Sequence, residues 1–161
     1  MATYDTTAFA LPSLERREAG VIARVHSFAA SDDLLETVNT VWRVFKLPKG
    51  AKIVPGTAYM WVTATEADSP AGLLDLELYD TVGTTAYKLI DGLALAAATA
   101  AAGGQTSTLG LGTGLGAHNV VTDDDQWVIR VLVQTAGDST MVTTGVIGVS
   151  VLYTVDLEPG Q

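Results

Sequence analysis

The sequence predicts an all-β domain: a jelly-roll-like antiparallel β-sandwich with one short Ala-rich helix or crossover and an extended N-terminal arm. Three observations carry that expectation. Short apolar runs alternate with polar residues at a period of two, the pattern of a half-buried strand. Proline and glycine punctuate those runs at the spacing of a sandwich or barrel. The runs themselves are rich in Val, Thr, Trp and Phe, which suit a pleated sheet. The chain has 161 residues, the length of a single domain. A chain of that size buries roughly 68–70% of its unfolded surface and needs no metal or disulfide to stay folded.

Residues 1–19 have no clean period, and Pro12 discourages an early helix. They read as an arm, distinct from a single sandwich domain over 20–161. Extended, such an arm reaches on the order of 60 Å. From Gly20 the pattern is β, with Val21, Ala23 and Val25 alternating with Ile22, Arg24 and His26. Thr37 to Leu47 reads as a second strand, stopped by Pro48-Lys49-Gly50, where proline fixes φ and glycine turns the chain. Ala51 to Val54 restarts a strand, and Pro55-Gly56 interrupts it. Thr57 to Thr63 places Tyr59, Trp61 and Thr63 on one face, with Met60 and Val62 on the other. Glu66 to Ala71 reads as a loop. Leu74, Leu76 and Leu78 then face inward, with Asp75, Glu77 and Tyr79 on a face expected to be wet.

Ala86 to Ala102 is the one helix the sequence suggests. It is rich in Ala and Leu, and Leu89, Leu93 and Ala96–Ala97 can line one face. Gly92 weakens it and Gly103-Gly104 ends it; an irregular crossover is the alternative. Beta character returns at Gln126 to Gln134, with Trp127, Ile129, Val131 and Val133 on one face. It returns again at Met141 to Val155, with Ile147, Val149, Val151, Tyr153 and Val155 together. Roughly seven or eight strands result, without an internal repeat.

Composition excludes more chemistry than it suggests. There are no cysteines, so no disulfide scaffold, thiolate zinc site or cysteine nucleophile. Two histidines, His26 and His118, leave little for a metal site or triad, and no cofactor is expected. The net charge is −9, which argues against nucleic acid as a partner. Residues 1–52 carry seven basic and six acidic groups, while 53–161 carry two and twelve, an asymmetry that can steer assembly. The start of the chain lacks the pattern of a signal peptide, and the apolar run Leu93–Ala102 is about half a membrane span. A soluble protein made in a cytoplasm, with no membrane partner, is expected.

Gly112-Thr113-Gly114-Leu115-Gly116-Ala117 matches the dinucleotide fingerprint, but the βαβ context is missing, so a flexible loop is the better reading. Asp123-Asp124-Asp125 offers carboxylates to a hard cation, yet lacks the EF-hand spacing, and a solvated turn explains it without metal. Ser27, Thr40 and Ser150 lie in strand-like sequence with no nucleophile elbow. His26 with Asp32 or Asp33 fixes no triad. Trp42, Trp61 and Trp127 can stack sugars but more simply fill a core or interface. No catalytic residue is assigned, and a non-enzyme is expected.

Four stretches then combine. They are Val44–Ile53 with its Leu47-Pro48-Lys49-Gly50-Ala51 turn, the acidic strand Leu73–Asp80, the Ala-rich segment Ala86–Gly104, and the closing strand Gly145–Val155 with its late Tyr153. In that order they resemble small structural proteins of tailed bacteriophages, of the capsid decoration (cement) or minor head type. The resemblance covers about residues 36–155. It implies a sandwich seated on a virion, often as a homotrimer, with the major capsid protein as partner. It implies no cofactor and no catalytic residue. A tail- or fibre-associated module that reads a host glycan through Trp61 or Trp127 is the alternative. For the arm, Phe9, Leu11 and Leu14 are expected to be apolar anchors on a neighbouring subunit, with Arg16 and Arg17 near carboxylates.

Overall fold

The computed structural model describes residues 2–7, 9, 21–30, 32–62, 72–95, 126–136 and 145–155, without the side chains of Asp32 and Asp33. Nine strands and one short helix lie in these residues. They are β1 (Thr3–Asp5), β2 (Val21–Ala30), α1 (Asp32–Leu35), β3 (Val41–Lys46), β4 (Ala51–Ile53), β5 (Tyr59–Val62), β6 (Leu73–Asp80), β7 (Ala86–Ala94), β8 (Trp127–Thr135) and β9 (Gly145–Val155).

The strands form two sheets. One has five strands in the order β1-β3-β8-β6-β7. In the other, β9 is central: β2 pairs with one of its edges, and β4 and β5 pair with the other. All pairings are antiparallel except β1 with β3. The alternation read from sequence decides which rows point inward. Leu74, Leu76 and Leu78 of β6, Ile129, Val131 and Val133 of β8, and Ile147, Val149, Val151 and Tyr153 of β9 are all fully buried in one core. Met60 and Val62 of β5 join them. The result is a jelly-roll-like antiparallel sandwich, as the sequence predicts.

The turn at Pro48-Lys49-Gly50 closes with Ala51 N–H donating to Pro48 O at 3.1 Å, and Gly50 takes φ +77°. That left-handed conformation is easy only for glycine.

The helix expected from Ala86 is corrected: Ala86–Ala94 is strand β7, and residues 96–102 lie outside the described residues. The physical reason is two irregularities against β6. Leu74 faces Leu93 while Leu76 faces Ile90, and Glu77 faces Lys88, so β7 holds an extra residue at each step. Each bulge breaks the two-residue alternation. The buried positions Leu89, Ile90 and Leu93 therefore fall at spacings that imitate a helix face. Gly92, at φ +77°, supplies the left-handed position of the first bulge, and its N–H donates to Asp75 Oδ1 at 2.8 Å.

Candidate functional site

The outer face of the five-stranded sheet carries the charge. Strand register brings Asp5, Arg43, Arg130, Glu77 and Lys88 into one row across all five strands. Arg43 grips Asp5 with two bonds, Nε to Oδ1 at 2.5 Å and Nη2 to Oδ2 at 2.7 Å. Arg130 Nε donates to Glu77 Oε2 at 2.7 Å, and its guanidinium lies 3.5 Å from the Tyr79 ring centre. Lys88 Nζ sits 3.0 Å from Asp75 Oδ2 and 2.5 Å from Asp91 Oδ1. The bond to Asp91 leads the causes that raise the Lys88 pKa; burial opposes it and Asp75 adds to it. The face expected to be wet is thus partly closed: Asp75 is 1% exposed and Glu77 3%. Each carboxylate in the row is matched by a cation, the arrangement of a cross-strand ladder that fixes register, not of a catalytic pair poised to exchange protons.

The N-terminal segment begins on its own domain. Of the residues 1–19 that the sequence reads as an arm, 3–7 and Phe9 make contacts on the chain's own domain. β1 adds to the β3 edge, Thr6 N–H donates to Arg43 O at 3.1 Å, and the Thr6 hydroxyl donates to Val44 O at 3.3 Å. Phe9 N–H donates to Thr6 O at 3.0 Å. The Phe9 ring is 8% exposed, with the Arg43 guanidinium 4.5 Å and the Lys46 ammonium 5.2 Å from its centre. The other arm residues singled out from sequence, Leu11, Leu14, Arg16 and Arg17, lie outside the described residues.

The candidate reactive groups do not converge. His26 packs against the rings of Phe28 and Phe45, and its buried Nε2 has no hydrogen-bond partner. The Thr40 hydroxyl is fully buried and also unpartnered. Ser27 is exposed and Ser150 half-buried. The glycine-rich run 112–117 and Asp123–Asp125 fall outside the described residues. Among the described residues no three His, Asp or Glu side chains gather as a metal site. Trp42 and Trp127 are core residues, the latter stacked on Tyr87 at 5.9 Å.

The outer face of the smaller sheet has the opposite character. Val21, Ala23, Val25, Ser27 and Ala29 of β2 point outward and are exposed. Register sets Val146, Gly148, Ser150, Leu152 and Thr154 of β9 beside them. Tyr59 and Trp61 of β5 pair with Ser150 and Gly148. Trp61 lies flat across Gly148, where a Cβ would stand 1.8 Å from the indole, and stacks on Tyr59 at 5.6 Å. Glycine at 148 is what lets the ring rest on the sheet. Sequence alternation identifies these positions as a row; that its β2 side chains face outward and are exposed is visible only in the structure.

Among solved structures, a chain from the capsid of Ralstonia phage GP4 matches 98% of this chain and 100% of its own length, at 18% identity and a TM-score of 0.67. The two chains share a fold. No large unit of either the Ralstonia phage GP4 capsid chain or this one falls outside the match. A chain of the Cyanophage Pam1 capsid asymmetric unit matches 93% of this chain and 95% of its own, at 18% identity and a TM-score of 0.49. No protein-family model and no curated protein matches the sequence.

Proposed function

We propose that this chain is a virion structural protein of a tailed bacteriophage that decorates the capsid, binds the major capsid protein and stabilises the shell by bridging its subunits as a homotrimer. The observation that carries the reading is the whole-length match to a chain of the Ralstonia phage GP4 capsid. The resemblance of the Leu47–Ala51 turn and the closing Gly145–Val155 strand to decoration proteins points the same way. A structural, non-catalytic role also agrees with His26 Nε2 and Thr40 Oγ1, each buried without a hydrogen-bond partner. Many modest contacts repeated by shell symmetry give strong holding without any single large interface. Within the N-terminal segment, Phe9 fastens the base to the domain, and Leu11, Leu14, Arg16 and Arg17 reach the neighbouring subunit. The glycan alternative is left with Trp61 alone, because Trp127 is buried.

The test is reconstitution. Purified protein is added to shells that lack it, and bound copies are imaged and counted. Saturable binding at symmetry-repeated positions, with shells more resistant to heat, is the expected result. Failure to bind shells, or binding confined to a single vertex, overturns the decoration role.

A further inference from the structure

We propose that the outer face of the β2–β9–β5 sheet is a self-association surface, occupied by a second copy of this chain. An outward sheet face in water is normally polar. Here Val25 is 63% exposed, Val21 61% and Val146 38%, and all three share the face with Leu152 and the Tyr59–Trp61 stack. The other positions of the rows are Ala, Ser, Gly and Thr, and Lys52 of β4 is the one charge that register adds. β2 also forms an edge of its sheet among the described residues, pairing with β9 through ten consecutive positions without a bulge. A long, regular, apolar edge strand invites association unless something covers it.

Charge selects the occupant. The chain carries −9, so two copies repel except where carboxylates are absent. The rows of this face contain no Asp or Glu, whereas the outer face of the five-stranded sheet carries Asp5, Asp75 and Glu77. A charge-depleted centre with aromatic and aliphatic side chains is the composition of a homo-oligomer contact. The flat area is modest: about 33 Å along β2 and about 14 Å across three strands, or roughly 450 Å². A standard interface buries about 800 Å² per partner, so association through this face should depend on protein concentration.

The inference rests on the oligomeric part of the proposed function and names its surface. Its test separates the two. Sedimentation velocity is run over a concentration series on the full chain, on Val25→Glu, on Val21→Glu, and on Val82→Glu as a control. Val82 is 77% exposed in the β6–β7 turn, away from this face. Circular dichroism confirms that each variant is folded, which exposed positions permit. Wild type and Val82→Glu should form the same oligomer, while Val25→Glu and Val21→Glu shift to the 16.8 kDa monomer. Oligomers unchanged in both face variants overturn the inference. So do variants that keep the oligomer but no longer bind shells, which would assign the face to the shell and leave the decoration role intact. A wild-type chain that stays monomeric at every concentration, or one whose Trp61 fluorescence responds to oligosaccharide while the chain remains monomeric, overturns it as well. Loss of the oligomer in the face variants supports it, whether or not shells are still bound.

Discussion

His26 has a ring nitrogen that meets no partner, held beside a guanidinium. Its Nε2 is buried, the rings of Phe28 and Phe45 flank it, and Arg24 adds an unfavourable positive charge. Desolvation first, and Arg24 second, lower the pKa of His26 below its ordinary 6.5. The sign follows from linkage. A depressed histidine pKa means that the unfolded chain binds the proton more tightly, so stability rises with pH where the two states differ in protonation. The stability is fully present above the unfolded value of about 6.5 and declines as the pH falls toward the folded value. Thermal melts at pH 7.5 and pH 5 should therefore show a larger loss of Tm in the wild type than in His26→Phe, which suits the aromatic surroundings and cannot titrate. Equal losses in the two proteins would show that His26 does not set the acid sensitivity.

Two strands meet through the Glu77–Arg130 pair, and that pairing decides what β6 tolerates. Both side chains are nearly sealed, and Arg130 is further held over Tyr79. Removing one charge strands the other in a low dielectric, so Glu77→Gln should destabilise by about 3 kcal/mol. Replacing both with methionines should cost much less, because a buried pair repays little beyond its own desolvation. Urea titration of the single and double variants checks this, and a double variant as unstable as the single one would contradict it. The element pattern also explains what the sequence made legible. β6, β8 and β9 are regular on their inward rows, so their alternation reads directly. β7 is misread because its two bulges place Leu89, Ile90 and Leu93 at helical spacing. β1 is three residues long and pairs parallel to a distant strand, so no local period reveals it. The apolar outer face had a faint local signal. β2 is apolar on both sides, with Arg24 as its single fully charged residue, and β9 contains no charged residue at all. Strands that lack outward charge are expected to be covered on both faces, and the sequence pattern cannot say by what.

At the scale of the whole molecule, the proposed function gives two parts of the N-terminal segment different duties. Residues 3–7 and Phe9 belong to the sandwich, through β1, the Asp5–Arg43 bonds and the Phe9 ring beneath Arg43 and Lys46. Leu11, Leu14, Arg16 and Arg17 belong, in the reading proposed above, to a neighbour. The two parts should respond differently to substitution. Phe9→Ala should lower folding stability by about 3 kcal/mol in the free protein, since it empties a buried ring site whether or not shells are present. Leu11→Asp with Leu14→Asp should leave the melting temperature of the free protein unchanged and weaken capture by shells. Arg16→Ala with Arg17→Ala should weaken capture mainly at low ionic strength, because exposed charge attraction is screened beyond about 8 Å at physiological salt. Melting curves and shell pull-down at two salt concentrations measure both quantities on the same variants. A melting temperature unmoved by Phe9→Ala would detach Phe9 from the domain's stability. A fall in melting temperature for the leucine variant as large as that for Phe9→Ala would place Leu11 and Leu14 on the chain's own domain and remove them as contacts to a neighbour.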